Sequence, residues 1–142
     1  MKKVLSILLL LTTLVLTLSA CGADKLNIEN YEWKMRIVMK NDSAINVPAV
    51  GEADPAYPDA KNVEMTLVAK DGKITVTDVT NKKTYTGTYK KIDANPKEIN
   101  YEVTIDGKDG YATVAMTTYS DGSEEPTLPI NLGEYSIYFY AE

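Results

Sequence analysis

Val63-Glu64-Met65-Thr66-Leu67-Val68-Ala69-Lys70-Asp71-Gly72-Lys73-Ile74-Thr75-Val76 reads as two strands and the turn between them. Val63, Met65, Leu67 and Ala69 fall on one face, and Ile74 and Val76 resume an apolar face after the turn. Alternation with period two is what a strand shows when one face is buried and the other is wet. Asp71-Gly72 is tight-turn chemistry, since the favoured two-residue hairpin turns need positive φ and Gly accepts it without strain. The fold is decided here, because the same pattern repeats along the rest of the chain.

Toward the C-terminus, the return strand runs Lys73–Val79, and Asn81-Lys82 turns again. Lys83–Ile92 places Tyr85, Gly87 and Tyr89 on one face and Thr84, Thr86 and Thr88 on the other. Gly87 inside that strand predicts a bulge or a sharp bend. After a turn at Ala94-Asn95-Pro96-Lys97, Glu98–Ile105 aligns Ile99, Tyr101, Val103 and Ile105. Asp106–Gly110 turns into Tyr111–Tyr119, and Asp121-Gly122 turns once more. Thr127–Asn131 holds Pro129, which predicts an edge strand or a bulge. Leu132-Gly133 leads into the last strand, Glu134–Ala141, with Tyr135, Ile137 and Phe139 on one face.

Toward the N-terminus, residues 41–62 hold Pro48, Pro55, Pro58 and Gly51 and read as a long loop. Such loops are uncommon in compact domains and often functional. Before it, Tyr31–Lys40 alternates again, with Tyr31, Trp33, Met35, Ile37 and Met39 on one face. No stretch after residue 21 shows a helical period. The expectation is an all-β fold of eight strands. A two-sheet sandwich would use the same alternation, but tight turns between successive strands favour an eight-stranded antiparallel up-and-down barrel, which leaves no edge.

The chain has 142 residues, 15 basic and 20 acidic, and no histidine. Its one cysteine is Cys21. Histidine-based triads and zinc sites built on His or Cys are therefore excluded, no intrachain disulfide can form, and neither a catalytic residue nor a cofactor is expected. Asp106, Asp109, Asp121, Glu124 and Glu125 crowd the late turns. Their spacing does not match a calcium loop, so Asp-Gly turn chemistry is the better reading and no metal is expected.

Met1-Lys2-Lys3 is a basic start, and Val4–Leu18 is an apolar run of about 15 residues, shorter than the ~20 a spanning helix needs. This is the layout of a secretory signal. Its end, Leu18-Ser19-Ala20-Cys21, resembles the lipobox of bacterial lipoproteins at all four positions. The resemblance implies cleavage after residue 20 and acylation of Cys21 by a diacylglycerol with palmitate-type chains. The expected organisation is then a signal peptide over 1–20, a lipidated cysteine and short tether over 21–30, and a barrel domain over 31–142. It would be anchored on the extracytoplasmic face of the cell membrane. Removing Lys2 and Lys3 with the leader leaves 13 basic against 20 acidic residues, a net charge of −7. That balance makes nucleic acid and anionic lipid head groups poor partners.

The barrel region also resembles, in outline, the lipocalin-like (calycin) domains of small bacterial lipoproteins. The residues that carry this are Trp33 in the first strand, the long loop after it, Thr84-Tyr85-Thr86-Gly87-Thr88-Tyr89, and the closing Tyr135-Ser136-Ile137-Tyr138-Phe139. Two positions depart from the lipocalin pattern. Tyr31 stands where a glycine usually precedes the tryptophan by two, and the last strand offers no basic residue to pack over it. The resemblance implies a ligand-binding barrel.

Candidate ligand contacts are Trp33, Met35, Tyr85, Tyr101, Tyr111 and Tyr135, since tyrosine pairs a ring face with a hydroxyl at a barrel mouth. The competing reading is that tyrosine and alternating apolar residues simply suit a half-buried sheet. The expected function is a non-catalytic binding module for a small hydrophobic or amphipathic ligand, with loop 41–62 as its lid. The alternative is a protein-interaction module of the bacterial cell envelope, an inhibitor or accessory, with a barrel filled by its own side chains.

Overall fold

The computed structural model describes residues 23–48 and 56–142. The leader, Cys21 and Pro55 lie outside the described residues. Two short 3-10 turns, Ala23–Leu26 and Ile28–Asn30, precede ten strands. These are β1 (Glu32–Lys40), β2 (Ser43–Val47), β3 (Lys61–Asn62), β4 (Met65–Lys70) and β5 (Lys73–Asp78). They continue as β6 (Lys83–Ala94), β7 (Glu98–Ile105), β8 (Lys108–Thr118), β9 (Glu124–Leu132) and β10 (Tyr135–Ala141). From β4 to β10 each strand pairs with the next, and β1 pairs with both β4 and β10. The result is the expected all-β architecture, a closed eight-stranded antiparallel up-and-down barrel.

The quoted hairpin forms as read. Leu67 stands opposite Val76 and Lys70 opposite Lys73, and Asp71 and Gly72 take φ of 51° and 77°. Inward residues from every wall form one core, in which Trp33, Leu67, Leu128, Ile130, Val114 and Phe139 are wholly buried.

Four local expectations are corrected. First, β1 does not keep one phase. Its register against β10 shifts between Met35 and Ile37, leaving Arg36 as the extra residue of a β-bulge. Past the bulge Val38 turns inward, 5 % exposed, opposite Ile137, while Ile37 pairs with the exposed Tyr138 on the outer face. Ile37 and Met39 therefore leave the face of Trp33, because one inserted residue exchanges the two faces. Second, the segment 41–62 is not all loop. β2 pairs antiparallel with the C-terminal half of β1, and β3 runs parallel to β2. Third, β9 is nine residues long and sits inside the closed barrel rather than at an edge. Pro129 is accommodated where the β8–β9 ladder lapses, between Ala112 opposite Ile130 and Ala115 opposite Thr127, since proline has no N–H to give.

Fourth, residues 23–30 are not an extended tether. Leu26 and Ile28 are buried in the core. The Trp33 indole N–H donates to the Ile28 carbonyl at 2.9 Å, and the Ile28 N–H donates to the Tyr101 hydroxyl at 3.3 Å. The segment plugs one end of the barrel. Tyr31 meets the Trp33 ring edge-on at 5.2 Å, covering the indole that no basic residue of β10 could reach.

Candidate functional site

The two barrel ends differ because of β1. Its edge pairs with β4 only over Glu32–Lys34, and with β2 from Val38 to Lys40. Between those stretches β1 and β4 part company, and the wall toward the turn ends of β5–β6, β7–β8 and β9–β10 opens. β2 fills the gap with a register shift of its own at Ile45. Into this opening faces a cavity of about 300 Å³. Its walls are aliphatic, formed by Val38, Ile45, Met65, Val76, Ile105, Leu132 and Ile137, with Tyr85 and Tyr135 among them and Asn46, Asp106 and Lys108 as its polar residues. A second chamber of about 410 Å³ shares Ile45, Asn46, Met65 and Tyr85 and extends under β3 to Asp78, Thr80 and Asn81.

Charge at the mouth is unevenly paired. Lys40 forms an ion pair with Glu134 at 3.6 Å, and its ammonium lies 5.3 Å from the centre of the Tyr135 ring. Its pKa is raised, first by the Tyr135 hydroxyl and then by the Glu134 charge. The Lys108 ammonium approaches the same ring at 5.9 Å. Among the described residues Lys108 takes part in no ion pair. Asp78 is the buried carboxylate of the second chamber, and its two oxygens are taken by the Asn81 backbone and side-chain amides, both at 2.8 Å.

Of the six candidate contacts, the structure brings Tyr85 and Tyr135 together at the mouth. Trp33, Met35 and Tyr101 are buried at 0 %, 3 % and 3 % exposure, in the core and against the plug. Tyr111 is 62 % exposed on the outer wall, opposite Glu102 and Asn131. The residues that sequence reasoning passed over are Val38, Ile45 and Lys108. Val38 was assigned to the wrong face because the bulge at Arg36 leaves no mark on composition. Ile45 lay in the presumed loop and Lys108 in a presumed turn.

At the plugged end the Glu29 carboxylate accepts from the Tyr89 hydroxyl and from the Asp71 backbone N–H, the latter at 3.1 Å. Burial first, and then this hydrogen bond, push the Tyr89 phenol up to about 12. On the outer wall Arg36 donates to the Tyr119 hydroxyl at 2.7 Å and to Glu125 at 3.2 Å, and packs over the Tyr140 ring at 5.0 Å. Among the described residues no three acidic side chains gather where they could hold a metal, and no helix is long and apolar enough to cross a membrane.

No family model, curated protein or solved structure matches the chain.

Proposed function

We propose that this protein is a membrane-anchored extracytoplasmic lipoprotein, held through Cys21, whose lipocalin-like barrel binds a small hydrophobic or amphipathic ligand at its open end. The observation that carries the reading is the aliphatic cavity of about 300 Å³ at one end of a barrel whose other end is plugged. Ligand pockets are concave, mostly apolar, and carry a few placed polar groups, which is the character of this mouth. The lipobox supplies the anchor, and two acyl chains suffice to hold a protein on a bilayer.

Native mass spectrometry of the full chain, purified gently from its host, tests the binding. A co-purifying small molecule is expected, and Ile137→Trp, which fills the cavity, should lose it while keeping a cooperative unfolding transition. A clean apo mass, together with no saturable uptake of added hydrophobic probes, would refute it. The anchor has its own test. Cys21→Ala should leave the membrane fraction, and unchanged fractionation would refute lipidation.

A second reading is favoured by the outer wall. Ile37 stands opposite Tyr138, and Tyr138 opposite Pro129, so apolar side chains line a face that would ordinarily be polar. This suits docking of another envelope protein. Cross-linking in whole cells, compared between the parent and Tyr138→Asp, should then show one adduct lost.

A further inference from the structure

We infer that the mouth cavity selects a single-chain amphiphile with an anionic head, the chain lying against Val38, Val76, Ile105 and Ile137 and the head group at the Lys108 ammonium. The inference rests on the binding reading above and names its ligand class.

Three observations lead there. The cavity walls are aliphatic, so the buried part of a ligand is hydrocarbon. The aliphatic cavity of about 300 Å³ has room for one chain, and the adjoining chamber is lined largely by polar residues, Asn46, Asn62, Asp78, Thr80 and Asn81 among them, which disfavours a second. Its polar edge carries two cations around one ring. Lys40 and Lys108 bracket Tyr135 at 5.3 and 5.9 Å, and only Lys40 has a carboxylate partner, Glu134. Lys108 is exposed at the rim of the apolar hole with no carboxylate within ion-pair distance, so its ammonium is open to an anionic head.

Tyr85 lines the same cavity and its hydroxyl takes no partner among the described residues, so it is available as a further donor to an anionic oxygen. Asp106 is the one carboxylate on the cavity wall, and no ion pair ties it to Lys108. Its charge repels an anionic head placed at the β7–β8 turn. The head therefore belongs on the Tyr135 side, where Lys108 and Lys40 converge.

Equilibrium dialysis of the full chain in an amphipol belt, with the amphipol alone as blank, decides the matter. The probes are labelled dodecanoate, dodecanol and dodecyltrimethylammonium. Dodecanoate should bind at one per chain and about tenfold more tightly than dodecanol, as a charge-assisted contact provides. Lys108→Met should erase that tenfold margin, read as the ratio of the dodecanoate and dodecanol affinities within each protein. Lys108→Arg should retain it, and Lys108→Glu should turn the preference toward dodecyltrimethylammonium. Lys108 is exposed at the start of its strand, so these changes leave the core intact. Equal binding of the three probes, a preference for the cation, or a Lys108→Met variant that keeps the margin would overturn the anionic head while leaving the binding reading standing. If none of the three binds saturably, the binding reading falls and this inference with it.

Discussion

Glu29 fastens the plug to the barrel, and its contact with Tyr89 has a measurable signature. The Tyr89 phenol rises from 10.0 to about 12 because burial disfavours its anion and its hydroxyl donates a hydrogen bond to Glu29. A phenol with a higher pKa in the folded than in the unfolded state binds its proton more tightly when folded. Its contribution to stability is whole below about pH 10 and drains away as pH climbs toward 12. Tyr89→Phe should therefore lose less stability across that window than the parent, read as the shift of the urea midpoint with pH. The slope will not vanish in the variant, since burial also raises the Tyr101 phenol. Identical slopes would mean that the Tyr89 phenol is not held above its ordinary value in the folded protein. At this scale the sequence was half legible. Trp33 announced itself as an inward residue by its phase. Its acceptor, the Ile28 carbonyl, did not, because Ala23–Asn30 has neither a two-residue nor a helical period and only its docking on the barrel gives it structure.

Strands carry their own constraints, and two glycines show which of them the sequence encodes. An added methyl on Gly87 would lie 1.8 Å from the Thr104 carbonyl oxygen, and one on Gly110 would lie 1.9 Å from that of Asn131. These are backbone atoms, which no rotamer change can clear. Gly87 was read as a bulge or a bend, but both neighbouring ladders keep register through it and what it permits is the close approach of Thr104, whereas Gly110 was taken for turn chemistry. Gly87→Ala should lower stability by about 3 kcal/mol, at the upper end of overpacking costs, with the urea m-value unchanged. Gly107 makes the contrast. It has φ of 73° but open space around it, so Gly107→Ala should cost only about 1 kcal/mol through backbone strain. Equal losses at the two positions would show that neighbouring strands yield to the methyl. The bulge in β1 was illegible for a different reason. An uninterrupted alternation from Tyr31 to Met39 is what a regular strand would show, and the partners that Arg36 meets at the bulge, Tyr119, Glu125 and Tyr140, lie far along the chain. The burial of Met35 and Val38 on either side holds the bulge, and the Arg36 contacts are exposed, so Arg36→Ala should cost no more than about 1 kcal/mol.

The closed barrel was readable in the order of its turns, but its asymmetry was not, because a hollow end and a filled end use the same alternation. The plug creates that asymmetry, and it also bears on how the molecule would stand on a membrane. Leu26 is buried in the core and Ala23–Leu26 is a 3-10 turn. With 2.0 Å of rise per residue in that turn and 3.8 Å per extended link before it, Cys21 can lie at most roughly 14 Å from Leu26. An acyl anchor at Cys21 would then draw the plugged end, with its Asp71-Gly72 and Asn95–Lys97 turns, against the lipid surface. The mouth would face away, since β6 alone spans twelve residues, or roughly 28 Å of barrel height at the usual tilt and rise. A ligand would then enter from the space beyond the membrane rather than directly from the bilayer. Fluorophores on Lys97→Cys and, separately, Lys83→Cys of the membrane-bound protein distinguish the two ends. Quenchers carried on lipid head groups should reach the label at position 97 and leave the one at 83 bright. Equal quenching would mean a barrel lying on its side, and stronger quenching at 83 would place the mouth on the bilayer and make lipid exchange the route of loading.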